Sequence, residues 1–153
     1  MENNLQIRTK IQISKSPAAV YEAIVDPGQM SNYFISKGSL RMEAGAEPFW
    51  YFPEFAEGFS IRVKEVRTNA YVAFYWDTEI GETLVEISIE PVLDEEASIV
   101  TVTEAEALID EPGILWLKNN TEGWANFLAC LKAWLEYGVH LRHGAFDFMK
   151  SPD

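Results

Sequence analysis

The chain has 153 residues, enough for one ordinary domain, and its 48% hydrophobic content supports a substantial core and excludes a disordered polymer. With 12 basic and 24 acidic residues the net charge is −12, a field that draws neither nucleic acid backbones nor anionic membranes. The single cysteine, Cys130, excludes an intrachain disulfide and fits a reducing compartment.

The N-terminus MENNLQIRTK lacks the basic and then apolar pattern of a signal peptide. No apolar run approaches the roughly 20 residues of a membrane helix. The cytoplasm is therefore the expected location, with no membrane partner. Leu5, Ile7, Ile11 and Ile13 then alternate with polar residues, which predicts a half-buried strand. Ser16-Pro17 opens a short helix, with Ser16 as cap and Pro17 at the first helical position. Asp26-Pro27-Gly28 ends it and starts a second short helix over Gln29 to Phe34.

From Ser39 onward the signals are strands. They are predicted at Ser39–Glu43, Pro48–Phe52, Phe59–Lys64, Tyr71–Asp77, Thr83–Glu90 and Ser98–Ala105, with turns at Thr68-Asn69 and Asp94-Glu95-Glu96. Their close spacing implies antiparallel hairpins rather than crossovers. Asp110-Glu111-Pro112-Gly113 begins a long helix that ends at Gly138, with acidic residues at its positive end. Asn119 with Glu122 matches a capping box, so a break into two helices is the alternative.

That helix carries Trp116, Leu117, Trp124, Phe127, Leu128, Leu131, Trp134 and Leu135 at intervals of three and four, a stripe roughly 120° wide. Lys118, Glu122, Asn126, Lys132 and Glu136 occupy the other side. A stripe of large rings needs a broad apolar cover, and the preceding strands supply a sheet. Residues 139–153 keep Leu141, Phe146, Phe148 and Met149. This C-terminal extension of the single domain is expected to dock on the cavity mouth or across a twofold homodimer interface.

The order strand, two short helices, about six strands and a long helix resembles the helix-grip fold of the START/Bet v 1-like (SRPBCC) superfamily. Within it, the chain looks like the branch related to the C-terminal domain of the activator of Hsp90 ATPase. The matching stretches are IQISKSPAAVYEAIVDPGQMSNYF, YVAFYWD, SIVTVTEAE and TEGWANFLACLKAWLEYG, and the resemblance covers about Leu5 to Gly138. LIDEPGILWLKNN and the tail VHLRHGAFDFMKSPD depart from it. The resemblance implies an α+β fold, with a curved antiparallel sheet of about seven strands wrapped on the long helix. It implies a pocket but no reaction, because the family shares no catalytic set.

The aromatic residues read either as a solid core or as the lining of a cavity for an apolar or aromatic ligand. The cavity reading names Trp50, Phe59, Phe74, Trp76, Trp124, Phe127 and Leu131 as ligand-binding. Asn120 joins them as the one polar residue in the helix stripe, whose amide needs a partner inside. On the last strand Glu104 and Glu106 are expected to be wet, which turns Thr101 and Thr103 toward the ligand. Arg62 and Glu86 are expected to face outward. His140, His143 and Asp147 read as solvated side chains, and Cys130 as an inert buried thiol. No catalytic residue, metal or cofactor is assigned. The expected function is a binding protein for a small hydrophobic molecule. The alternatives are an enzyme of the cyclase or hydratase kind using the same cavity, or a co-chaperone-like interaction domain.

Overall fold

The computed structural model describes residues 4–151. Strand β1 (Leu5–Ile13) is followed by helices α1 (Pro17–Val25) and α2 (Pro27–Met30). Ser16 Oγ accepts from the Ala19 N–H and Asp26 Oδ1 from the Gly28 N–H, so each short helix carries its own cap and a proline in its first turn. Strands β2 (Lys37–Gly38), β3 (Phe49–Tyr51) and β4 (Phe59–Ser60) form a small three-stranded sheet. Strands β5 (Arg62–Arg67), β6 (Tyr71–Thr78), β7 (Gly81–Val92) and β8 (Ala97–Ala107) join β1 in a five-stranded antiparallel sheet of order β1-β8-β7-β6-β5. Helix α3 (Glu111–Tyr137) closes the fold, and a 3-10 turn covers Asp147–Met149.

This is the α+β helix-grip fold, with its strands divided between two sheets. The predicted strand at Ser39–Glu43 does not form. Leu40 and Arg41 are exposed there, and the buried Met42 donates its N–H to the Val25 carbonyl at the end of α1 instead of to a sheet. The predicted strand Phe59–Lys64 splits at Ile61, whose N–H turns to the Pro48 carbonyl.

Helix α3 is continuous for 27 residues, about 40 Å at 1.5 Å per residue, so Asn119-Asn120 makes no break. Asp110 caps it through Oδ1 to the Gly113 N–H, and Gly138 ends it in the left-handed region at φ 64°. Gly113 is required for packing: a Cβ there would stand 2.0 Å from the Leu108 carbonyl oxygen. Trp116, Trp124, Phe127, Leu128 and Leu131 are buried against the large sheet, as the stripe predicts. The C-terminal half is tied to β1 by Lys132 Nζ on the Gln12 carbonyl and by the Ser14 N–H on Glu136.

The core continues under α1 and the loop after α2, where Tyr33 donates its hydroxyl to the Ala23 carbonyl at 2.8 Å. Burial pushes the Tyr33 phenol far above its ordinary value near 10. The unfolded chain therefore releases this proton first, and stability falls as pH rises above about 10. Tyr33→Phe is expected to cost about 1 kcal/mol at neutral pH and to flatten the alkaline decline, read from urea midpoints between pH 7 and 11. A mutant with an unchanged alkaline slope would remove Tyr33 as its source.

Candidate functional site

The centre of the inner face is a carboxylate. In β8, Val100, Val102 and Glu104 share the side that faces α3, and Glu104 is 0% exposed. Register places it between Ile7 of β1 and Val85 of β7. Thr83 and Trp76, paired across β7 and β6, occupy the adjoining row. From the opposite side, Trp116, Asn120 and Trp124 descend from α3 at a spacing of four residues, on one stripe.

Five side chains converge on Glu104. Trp124 Nε1 donates to Oε1 at 2.8 Å, and Asn120 Nδ2 donates to the same oxygen at 3.1 Å. Thr83 Oγ1 donates to Oε2 at 2.6 Å, Trp76 Nε1 at 3.1 Å and Trp116 Nε1 at 3.4 Å. Indole N–H groups only donate, so three of the partners demand a fixed acceptor, which the carboxylate oxygens supply. Among the described residues no cation forms an ion pair with it.

This overturns the expectation for β8. Glu104 is not wet, and Thr101 and Thr103 face away from the helix. They lie on the outer face, in a shallow polar groove with Gln6, Arg8, Lys10 and Ser88. The physical reason is that Val100 and Val102 claim the inner side, and the strand's period of two carries Glu104 with them. Glu106 alone of the two acids is exposed. Arg62 does face outward, pairing with Glu82 at 3.0 Å over the Tyr75 ring.

Beside this network lies a cavity of about 740 Å³, open to solvent on one side. Trp76, Asn120, Trp124 and Phe127 line it, as does Phe59, whose ring is 41% exposed at the rim. Trp50, Phe74 and Leu131 do not line it. They are buried behind it, where Trp50 stacks edge-on against Phe34, Phe74 and Trp76. Their side chains fill the core that the cavity leaves beside it. Tyr33, Phe34, Phe52 and Phe55 add aromatic wall, Asp77, Glu79, Glu122 and Asn126 add polar groups, and the tail contributes Arg142, Phe146, Phe148 and Met149. Cys130 also reaches the wall, and burial pushes its thiol up, away from the reactive thiolate.

The tail reaches the mouth because Arg142 forms a forked ion pair with Glu54 at 2.9 and 2.7 Å. The Arg142 guanidinium also lies 5.1 Å from the Phe146 ring centroid. His140 is exposed beside the Trp134 ring. No group of three or more His, Cys, Asp or Glu side chains is placed to hold a metal ion among the described residues. No helix among them is long and apolar enough to cross a membrane.

The family described as Activator of Hsp90 ATPase homolog 1-like protein matches residues 14–136, most of the chain. The chain belongs to this family. No curated protein matches it. Among solved structures, a protein from Staphylococcus saprophyticus is similar at 30% identity and a TM-score of 0.76, covering 88% of this chain and 94% of that one. DynU16, a protein of the dynemicin biosynthetic locus, is similar at 25% identity and a TM-score of 0.75, covering 87% of this chain and 48% of its own. The Aha1 dimer from Colwellia psychrerythraea shares the fold at 20% identity and a TM-score of 0.75, covering 88% and 98%. Residues 139–151, which bring Arg142 and Phe146 to the cavity mouth, lie beyond the stretch matched to the Activator of Hsp90 ATPase homolog 1-like family.

Proposed function

We propose that the protein encloses a small hydrophobic or aromatic molecule in this cavity and catalyses no reaction there. The observation that carries the reading is the 740 Å³ volume with a largely aromatic wall and a polar, acidic rim, the size and character of a small-molecule site. The buried carboxylate supports binding over catalysis. Both Glu104 oxygens are already occupied by donors, and the side chain has no exposed surface from which to exchange a proton with substrate. A cytoplasmic location belongs to the same proposal, in keeping with the unpaired Cys130.

Trp76 and Trp124 report occupancy directly. A panel of apolar aromatic ligands is expected to shift or quench tryptophan emission and to raise the melting temperature with ligand concentration. A panel that moves neither signal would remove the binding function.

Gly123 offers a matched perturbation. It lies within α3 on the cavity wall, and a Cβ there would meet nothing within 4 Å. Gly123→Ala is expected to stabilise the protein by about 0.5–1 kcal/mol, the helix-interior cost of glycine. Gly123→Leu is expected to keep that gain while narrowing the cavity and weakening bulky ligands. Destabilisation by the alanine variant, or ligand affinity unmoved by the leucine one, would count against this geometry.

A second reading, self-association, is favoured by one observation. Leu108, Ile109, Ile114 and Leu115 expose apolar side chains around the start of α3. Light scattering that gives a homodimer, reduced to monomer by Leu115→Glu, is the expected support. A monomer at all concentrations would end it.

A further inference from the structure

The cavity's electrostatics say more about its occupant than its volume does. Two of its wall rings, Trp76 and Trp124, stand 5.4 Å apart with planes at 36°, and Phe127 crosses Trp124 at 81°. Phe34 crosses Phe127 at 79° and Phe52 at 77°. These rings pack on one another edge to face, and the parts of Trp76, Trp124 and Phe127 left on the cavity wall offer a π surface that an organic cation can approach. Both indoles donate their N–H to the Glu104 carboxylate. A hydrogen bond to a carboxylate polarises the donor ring and adds electron density to its faces.

Glu104 itself places a buried carboxylate directly behind this wall, with no cation paired to it among the described residues. At short range and away from bulk water such a charge is weakly screened. The rim has the same sign. Asp77, Glu79 and Glu122 line the cavity without ion-pair partners among the described residues, whereas its one cation, Arg142, is neutralised by Glu54. An anionic ligand would meet repulsion from wall and rim. A neutral one would gain nothing from either.

We propose that the ligand of this cavity is an amphiphilic organic cation: an apolar or aromatic body bearing an ammonium or quaternary ammonium group that seats against Trp76 and Trp124. This rests on the cavity-binding reading above and narrows it to a charge class.

The test is calorimetric titration of the full chain with three probes of similar size: benzyltrimethylammonium, its neutral isostere neopentylbenzene, and the anion phenylacetate. The expected result is affinity at least tenfold higher for the cation than for the neutral probe, and none measurable for the anion. Equal affinity for cation and neutral probe would overturn the cation proposal and leave the cavity reading standing. No binding by any probe, even at millimolar concentration, would overturn both. Paired variants then localise the effect. Glu79→Gln with Glu122→Gln removes two charges at the rim and is expected to weaken the cation several-fold. Glu95→Gln with Glu96→Gln removes two charges from the distant β7–β8 turn and is expected to leave it unchanged. An equal loss from both pairs would assign the preference to net charge rather than to this cavity, and would also overturn the proposal.

Discussion

Glu104→Ala is expected to cost about 3–5 kcal/mol, the range for removing one partner from a buried charged network. The loss comes less from the charge than from what it leaves behind. Trp76, Trp116 and Trp124 would each keep an indole N–H with no acceptor, and Thr83 and Asn120 would lose theirs. An unsatisfied buried donor costs about 1–3 kcal/mol, and some of these would recover partly through water entering from the adjoining cavity. Against a total stability of about 5–15 kcal/mol, this removes about a fifth of it at the least. Glu104→Gln is the informative partner. It keeps the shape and one acceptor, yet turns an NH₂ toward at least one indole that only donates, and is expected to cost about 1–3 kcal/mol. Urea midpoints at constant slope give both values. Near-ultraviolet circular dichroism would show the three indoles losing their fixed environment. An alanine variant within 1 kcal/mol of the parent would mean that the network contributes little to the fold.

The same site shows what the sequence discloses and where it falls silent. The helix was legible because its stripe spans eight large apolar residues with caps at both ends, and Asp110 and Gly138 do cap it. The antiparallel strands were legible because alternation and turn residues are local signals. The facing of β8 was misjudged because two glutamates were weighed above two valines. The corrective signal was present: Val100 and Val102 share parity with Glu104, and Asn120 stood in an apolar stripe in need of a partner. Three tryptophans on the inner face add N–H donors to that demand, so an inward acceptor was implied before its identity was. Trp50, Phe74 and Leu131 show the limit in the other direction. A period of two or 3.6 tells which side a residue faces, not whether the volume beyond it is filled. The division into two sheets depends on where the chain stops pairing, as at Ile61, and no local residue type announces that.

The tail's path was half legible. Its apolar residues predicted docking, but the contact that directs it joins Arg142 to Glu54 across 88 residues of sequence. Arg142→Ala is expected to cost about 2–3 kcal/mol, somewhat below the range for a fully buried pair. Glu54 would keep its carboxylate in a site where only 4% of the side chain is exposed, but it adjoins the open mouth and can rehydrate by a small movement. Truncation after Gly138 is expected to match this loss and also to remove the cover given by Phe146 and Met149. Phe148, though on the cavity wall, is 79% exposed and contributes little to that cover. The larger effect is on exchange: with its mouth uncovered, the cavity is expected to release a bound probe several-fold faster while the on-rate changes less. Amide exchange supplies the structural readout, because backbone protection near Phe146 should disappear in Arg142→Ala as it does for an unanchored end. A Glu54→Ala, Arg142→Ala double-mutant cycle then isolates the pair from the packing of the rings. If the truncated chain keeps its melting temperature and its probe release rate, and the parent shows no protection near Phe146, the tail does not close the cavity.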